Sequence, residues 1–311
     1  MHHRSLSLGI FAAGLLASTI AAQAGNESWV SGTGTDTGTC PRTAPCRTFQ
    51  FAHDQTTNNG AINVLTSGNF GPLTIDRPIS IVAEGVEAVI NTGGAAIIIQ
   101  AGGGAIVSLR GLTIDMRRVS VNNGIVFQSG GALHIQDTVI RGALGNGIAF
   151  TPTSGNPELY VSDTVIADGG QQSANVWIAP SGTAGAKVLL DRVRVENATN
   201  LNIAFNGGFT TGAITATLRD STSAGGGIGV FVQEPSGGGS TNVMIDRCAI
   251  VNNSTGVSAT NDAIIRIGDS TVTGNSLGLS SDSGGQILSY ETNKVDGNGT
   301  NGAPTGTIAM K

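Results

Sequence analysis

The sequence has 311 residues, with 21 acidic residues against 16 basic ones, and charged residues make up only 12% of the chain. A surface with so few cations is a poor partner for nucleic acid or for an anionic bilayer, and we expect neither as a binding partner. The apolar fraction of 39% is strictly patterned, which excludes a disordered chain despite the 47 glycines.

Residues 1–24 have the features of a secretory signal. Arg4 gives a positively charged start, residues 6–22 form an apolar run, and Ala22-Gln23-Ala24 has the small-x-small pattern of a cleavage site. A buried N-terminal helix is the alternative, and the run is too short to span a membrane. We therefore predict a secreted or periplasmic protein without membrane insertion, whose mature chain begins at Gly25.

Residues 25–60 are predicted to form an N-terminal loop and cap. Cys40 and Cys46 lie close together in a polar loop of a chain with an export signal, and this context predicts a disulfide between them. Thr48 is a suitable N-cap for a short helix from Phe49 to Gln55, whose apolar side chains would cover the end of a hydrophobic core.

Residues 61–296 contain a repeat of 22 to 29 residues. The stretch LHIQDTVIRG at residues 133–142 is followed by LYVSDTVIAD at residues 159–168, with apolar and polar letters in the same places. The positions equivalent to Ile135 are Ile81, Leu109, Val161, Leu190, Leu218, Ile245, Ile267 and Ser289. A further strand of each repeat begins with Gly or Asn, at Gly124, Gly147, Asn175, Asn202, Gly229, Gly256 and Gly278. We attribute this choice to a left-handed backbone at a tight corner.

Three short strands per repeat predict an all-β fold, a right-handed parallel β-helix (solenoid) of about nine or more rungs. The predicted helix over residues 49–55 is the N-terminal cap of this solenoid. Residues 297–311 offer few apolar side chains and are predicted to form a C-terminal tail.

The repeat resembles the right-handed parallel β-helix proteins of the pectin-lyase-like superfamily. The stretch WVSGTGTDTGTCPRTAPCRTFQFA, followed by GAINVLTSGNFGPLTI, is similar to the N-terminal region of secreted bacterial members, and the resemblance extends over residues 29–296. The superfamily includes pectate lyases, polygalacturonases, alginate epimerases and phage tailspikes. The resemblance therefore implies the fold without selecting one of these functions.

The resemblance also implies that a substrate would lie along the sheet whose strands begin with Gly or Asn. The outward positions of these strands are Val126, Ala149, Trp177, Ala204, Phe231, Ser258 and Ser280. They provide no pair of acid–base groups for hydrolysis or elimination. The flanking outward positions are Gln128, Thr151, Ala179, Asn206, Gln233, Thr260 and Asp282. As ligand-binding residues we predict Trp177, Gln128, Asn206 and Gln233, together with Tyr160 on another ladder, for stacking on sugars and hydrogen bonding to them.

Charged residues recur two positions after Ile135 and its equivalents. These positions are Gly111, Asp137, Asp163, Arg192, Asp220, Arg247, Asp269 and Glu291. Opposite charges on neighbouring rungs stabilise a sheet, and we interpret most of this column as structural. Asp137 and Asp163 have no cation between them, which makes them candidate Ca²⁺ ligands. Turn residues that bond to their own backbone are the alternative, and no other cofactor is predicted.

Few candidates for catalysis remain. His134 lies beside Tyr160 on one predicted ladder, and Asp115, Arg141 and Asp168 lie near one corner, together with Arg117 and Arg118. The alternative is that these charged residues are only the solvent-exposed side chains of a turn, which would give the same clustering in the sequence. Cys248 stands in a column of small side chains and is predicted to be a buried thiol without a reactive role.

The sequence thus favours an exported, non-catalytic β-helix that binds polysaccharide, such as a cell-surface glycan, or another surface component. Two alternatives stay open. One is a polysaccharide lyase, glycoside hydrolase or epimerase with its active residues on a less usual face. The other is a structural module that self-associates laterally through the apolar outward positions.

Overall fold

The computed structural model describes residues 25–116, 122–169 and 174–310. The described chain folds as one parallel β-solenoid in which three sheets form the sides of the coil, and all of the paired strands run parallel. Each turn of the coil passes from sheet 1 to sheet 2 and then to sheet 3. The predicted parallel β-helix is confirmed.

The three sheets contain twelve, ten and nine strands. Sheet 1 consists of Gly25–Val30, Thr56–Val64, Ile79–Val82, Ile106–Arg110, Ala132–Gln136, Glu158–Ser162, Ala186–Asp191, Ile214–Arg219, Thr241–Asp246, Ile264–Gly268, Gln286–Ser289 and Gly306–Thr307. Sheet 2 consists of Gly68–Asn69, Ala88–Ile90, Leu112–Asp115, Val139–Arg141, Val165–Ala167, Arg194–Glu196, Thr222–Ala224, Ala249–Val251, Thr271–Thr273 and Lys294–Val295. Sheet 3 consists of Leu73–Ile75, Ile97–Gln100, Ile125–Ser129, Ile148–Phe150, Ala174–Ile178, Leu201–Asn206, Ile228–Gln233, Thr255–Thr260 and Leu277–Asp282.

The register of sheet 1 is the one expected from the repeat. Ile135 pairs with Leu109 on one side and Val161 on the other, and both neighbours are buried. Alternate residues of each strand point into the coil, so these positions form continuous apolar columns along its axis. Aromatic side chains fill part of the interior, where the rings of Phe127 and Phe150 stack with centroids 4.4 Å apart.

The corner between sheets 1 and 2 is made by one residue with a left-handed backbone. Asp137 has φ 49° and Asp163 has φ 50°, so both aspartates occupy the left-handed turn position. The residue after the left-handed one often carries a hydroxyl, as Ser270 does after Asp269. The Ser270 hydroxyl donates to the carbonyl of Gly268 at 2.7 Å and accepts from the N–H of Cys248 at 3.0 Å. Cys248 occupies the same place one rung earlier, and burial raises the pKa of its thiol to about 11, in agreement with an unreactive role.

The corner between sheets 2 and 3 corrects one expectation. The left-handed residue there comes directly after sheet 2, as at Gly142, Asp168 and Asn197, whereas Gly124 and Gly147 have ordinary backbone angles. These two glycines are required by close approach. A Cβ at Gly124 would lie 2.5 Å from the carbonyl oxygen of Gly147 on the next rung.

A buried asparagine ladder runs along the same corner and was not predicted. The side-chain N–H of Asn253 donates to Asn275 at 3.1 Å, and that of Asn275 donates to Asn298 at 2.9 Å. Asn275 also donates to the carbonyl of Ile250. The amides therefore satisfy backbone groups inside the turn while they connect one rung to the next.

The N-terminal end is covered as predicted. The helix α1 spans Phe49–Gln55, and the Thr48 hydroxyl accepts from the backbone N–H of Phe51 at 3.3 Å. Phe49 is fully buried, with its ring centroid 4.9 Å from that of Phe70. The predicted disulfide between Cys40 and Cys46 is present in the loop before the helix.

Sheet 1 extends beyond residues 61 and 296, because its first strand begins at Gly25 and its last ends at Thr307. The predicted signal at residues 1–24 lies outside the described residues. Among the residues that the structure describes, no helix has the length and apolar character needed to cross a lipid bilayer.

Candidate functional site

The outward face of sheet 3 carries a column of mainly apolar side chains. Strand pairing aligns, in order, Thr74, Ile98, Val126, Ala149, Trp177, Ala204, Phe231, Ser258 and Ser280. Six consecutive members, from Ile98 to Phe231, are apolar. Within each strand, the residues before and after the column member point into the core, as Val176 and Ile178 do next to Trp177.

Large and small side chains alternate in the middle of this column. Ala149 and Ala204 are only 4% and 0% exposed although they point outward, whereas Trp177 and Phe231 remain partly exposed. The larger groups and the surrounding backbone therefore leave the alanines no free surface. Trp177 and Phe231 are separated by one rung, which places them about 10 Å apart along the axis.

Polar side chains flank the apolar column on the side where the strands end. Asn206, Gln233, Thr260 and Asp282 are aligned by strand pairing, and the Gln233 side-chain N–H donates to Asn206 Oδ1 at 3.3 Å. Asn206 is buried, and its Oδ1 also accepts from the backbone N–H of Gly208. Asn206 thus positions Gln233 and the following loop, while Gln128 is exposed on its own strand. The Thr260 hydroxyl oxygen is enclosed and has no hydrogen-bond partner.

The loops that follow sheet 3 form a rim beside these polar residues. A short 3-10 helix, Gly207–Phe209, begins at Asn206, and the Phe209 side chain is 59% exposed at its end. The carbonyl of Phe209 accepts from the N–H of Gly182 in the preceding loop at 2.9 Å, so neighbouring loops support each other. Phe209 was not predicted. Its signal is a single aromatic residue within the glycine-rich stretch NGGFTTG.

An open cleft lies at the N-terminal end of the same face. It has a volume of about 380 Å³ and its lining includes Gln50, Phe70, Leu73, Thr74 and Ile98. Because Thr74 and Ile98 are also the first members of the outward column, the cleft and the column share a surface. The cap helix closes one side, where Gln50 Oε1 accepts from the N–H of Thr74 at 2.8 Å.

Of the four predicted catalytic residues, the structure brings together two on sheet 2, Arg141 and Asp115. Arg141 is in register with Asp115, and its guanidinium lies 3.0 Å from the Asp115 carboxylate. Asp168 follows the next strand as a turn residue with φ 60°, and its carboxylate accepts from the Asn197 side chain at 3.1 Å. Arg117 and Arg118, the other members of this predicted cluster, lie outside the described residues.

His134 and Tyr160 stack on the outward face of sheet 1, with ring centroids 4.8 Å apart. The Tyr160 hydroxyl donates to Glu158 at 2.7 Å, and Lys187 Nζ donates to the other Glu158 oxygen at 3.2 Å. These two bonds lower the pKa of the Glu158 carboxyl, while burial lowers the pKa of His134. Sequence reasoning missed Glu158 and Lys187. Tyr160 thus lies on a different sheet from Trp177 and is not grouped with the other predicted ligand-binding residues.

The candidate Ca²⁺ ligands both have cationic partners. Arg192 makes a bidentate pair with Asp163 at 2.7 and 2.9 Å, and Arg110 lies 3.3 Å from Asp137. The hydrogen bond from Arg192 lowers the pKa of Asp163. The two Arg residues belong to the rungs before Asp137 and after Asp163, so both carboxylates are engaged by cations. The described residues contain no group of three or more His, Cys, Asp or Glu arranged to hold a metal ion.

Comparison with known proteins gives matches only at the level of structure. No family model and no curated protein sequence matches the chain. Pectate lyase Pel9A has a TM-score of 0.49 and 10% identity over 91% of this chain and 78% of that one. A structure described as Geobacillus virus E2 ORF18 has a TM-score of 0.44 and 12% identity over 81% of this chain and 54% of that one. Because these scores are low, the fold is assigned from the strand ladders of the chain itself, which are those of a parallel β-helix.

Proposed function

We propose that this chain is an exported, non-catalytic β-helix that binds a polysaccharide along the outward face of sheet 3. The observation that carries the proposal is the arrangement around Trp177. This partly exposed ring stands between two buried alanines, with the partly exposed Phe231 one rung beyond Ala204. The disulfide is compatible with an oxidising compartment outside the cytoplasm.

Aromatic rings held apart on a flat sheet suit an extended sugar polymer. The C–H faces of pyranose rings pack against aromatic faces, and buried area is the main source of the attraction. A polymer that runs parallel to the coil axis would meet Trp177 and then Phe231. Hydroxyl groups at its edge would face Gln233 and Gln128, whose amides both donate and accept hydrogen bonds.

The titratable groups support binding without turnover. The column around Trp177 contains alanine, valine, phenylalanine and serine, none of which exchanges a proton with substrate at neutral pH. The Asp115–Arg141 pair and the His134–Tyr160 stack belong to sheets 2 and 1, away from this column.

The test is a binding and turnover panel on the mature chain, residues 25–311. Neutral and acidic polysaccharides are offered as soluble polymers, and binding is measured by calorimetry while new reducing ends and unsaturated uronates are followed in parallel. We expect binding to at least one polymer without product. Trp177→Ala is expected to weaken this binding about tenfold, or ~1.4 kcal/mol. Leu189→Ala, which removes an outward apolar side chain from sheet 1, is the matched control and is expected to bind as the parent does.

Three results would count against the proposal. Release of product would favour the enzyme alternative and direct mutagenesis to Asp115, Arg141, Asp168 and His134. Concentration-dependent dimers in sedimentation that are lost in Trp177→Ala would favour lateral association. Equal loss of affinity in Trp177→Ala and Leu189→Ala would show that sheet 3 is not the binding face.

A further inference from the structure

Charge is unequally shared among the three sheets. The described lysines and arginines of the coil other than Arg77 lie on sheets 1 and 2 or in the turns between them, at Arg110, Arg141, Lys187, Arg192, Arg194, Arg219, Arg247, Arg266 and Lys294. Arg77 lies in the turn after the first strand of sheet 3, where its Nε donates to Asp76 at 2.7 Å. The nine strands of sheet 3 contain only uncharged residues and one aspartate, Asp282. Within the described part of the coil, Arg77 is therefore the one cation beside sheet 3, and its ion pair with Asp76 carries no net charge.

Most of these cations are also held by carboxylates on their own face. Arg219 makes two hydrogen bonds to Asp191, at 2.9 and 3.2 Å, and Arg247 makes two to Asp220, at 2.8 and 2.9 Å. Such bidentate pairs fix the direction of the guanidinium group. These side chains are therefore directed along sheet 1 and its turn, rather than toward sheet 3.

The polar flank of sheet 3 carries negative charge at its C-terminal end. Glu234 directly follows Gln233, and its carboxylate accepts from the backbone N–H of Thr241 at 2.7 Å. Asp282 is exposed at the end of the last strand of the same sheet. At the other end, Arg47 donates to the carbonyl of Asn69 at 2.6 Å and lies against the Phe70 ring, so it is engaged within the cap.

We infer that the polymer bound along sheet 3 is a neutral polysaccharide, an inference that rests on the proposed function. A polyuronate would bring a carboxylate with every sugar unit to a face whose own charges are Glu234 and Asp282. Like charges placed together across an interface lower affinity and slow association. A neutral sugar keeps the stacking on Trp177 and the hydrogen bonds to Gln233 without that repulsion.

Two matched pairs of polymers test the inference, because each pair shares one backbone and differs in charge. They are methyl-esterified against de-esterified homogalacturonan, and hydroxyethyl cellulose against carboxymethyl cellulose. We expect Trp177-dependent binding to a neutral member, at least about tenfold tighter than to its anionic partner at low salt. The difference in affinity between the neutral and the anionic polymer is expected to decrease at high salt, because screening weakens the repulsion between the polymer's carboxylates and those of the protein.

Asp282→Lys is the second variant, since it replaces the exposed carboxylate at the end of the polar flank with a cation. It is expected to raise affinity for the anionic member several-fold and to leave the neutral member's affinity within about twofold. Equal or tighter binding of the anionic member to the parent, dependent on Trp177, would overturn the neutral-ligand inference and leave the proposed function in place. An absence of Trp177-dependent binding to any polymer would overturn both.

Discussion

Sheets 1 and 3 are built from the same repeat, yet their outward faces differ in chemistry. Sheet 1 displays paired charges, including Arg219 against Asp191, and the stacked His134 and Tyr160. Sheet 3 displays an apolar column centred on Trp177 with amides at its edge. On sheet 1 the polar groups already satisfy one another, whereas on sheet 3 an aromatic surface is left partly exposed. The charged ladder of sheet 1 is therefore explained by its structural pairing, and under the proposed function the uncharged ladder of sheet 3 is the binding face.

The strands of sheets 1 and 3 pack against the same interior of the coil. A substitution that disrupts this interior should therefore have the largest effect on folding. Leu133 is fully buried on a central strand of sheet 1. Leu133→Asp would bury a carboxylate without a partner, and we expect the chain to fail to fold. Far-ultraviolet circular dichroism checks this. Gln136→Asp, an exposed position on the same strand, is the control and should melt as the parent does.

The asparagine ladder provides the next largest effect. Asn275 is 2% exposed and bonds to the amides of Asn253 and Asn298. Asn275→Ala removes the acceptor of the buried backbone N–H of Asn253 and the amide that donates to the carbonyl of Ile250, and we expect a loss of about 2–3 kcal/mol in the free energy of unfolding. Denaturant titration measures the loss. Asn242→Ala, on the outward face of sheet 1, should lower the free energy of unfolding much less. Equal losses in the two variants would contradict the structural role of the asparagine ladder.

The charge pairs of sheet 1 and its turn should make a smaller contribution to the free energy of unfolding, and this contribution should depend on pH. The hydrogen bonds from Arg247 lower the pKa of Asp220, so the folded protein binds fewer protons than the unfolded one near that pKa. This stabilisation is present above the unfolded pKa and is lost as the pH falls below about 4. Arg247→Met is therefore expected to lower the melting temperature slightly at neutral pH and to flatten its decrease in acid.

The control for this pH effect is Arg266→Met. Arg266 also lies on sheet 1, but it donates to the neutral side chain of Asn242. Its removal should leave the acid dependence of the melting temperature unchanged. The account of the charge ladder would fail if both variants changed that dependence equally.

The smallest expected effect concerns the flank of sheet 3. The Thr260 hydroxyl is enclosed without a hydrogen-bond partner. Thr260→Val removes that oxygen at nearly constant volume, and we expect the free energy of unfolding to stay the same or rise by less than about 1 kcal/mol. A clear decrease in denaturant titration would mean that the hydroxyl has a partner, such as a bound water.

The phase of the strands could be predicted because each rung repeats the same alternation of buried and outward residues. The pairing of Ile135 with Leu109 and Val161, the cap helix and the disulfide all follow from local pattern and spacing. The separate ladders predicted for Tyr160 and Trp177 are two different sheets. The contacts within a candidate group could not be predicted as well, because they depend on side-chain direction. Arg141 pairs with Asp115, whereas Asp168 accepts from Asn197.

Partners that depend on side-chain reach were also missed. The Glu158 carboxylate accepts from Tyr160 and from Lys187 because both side chains reach it along the face of sheet 1, and the sequence repeat does not encode these contacts. The asparagine ladder had a sequence signal, since Asn253 and Asn275 each stand three residues before a strand-initiating glycine. That signal is recognisable only once the buried turn explains why an amide is needed there.

The most direct test of the central claim uses the tryptophans as reporters. The chain has two of them, Trp177 on sheet 3 and Trp29 near the N-terminus. The Trp29→Phe variant has Trp177 as its single tryptophan. Its fluorescence emission is measured during titration with a polymer for which calorimetry has already shown binding. We predict a blue shift that saturates with the calorimetric binding curve, because a sugar covering the ring removes water from it. Saturated binding with unchanged Trp177 emission would contradict the assignment of sheet 3 as the binding face.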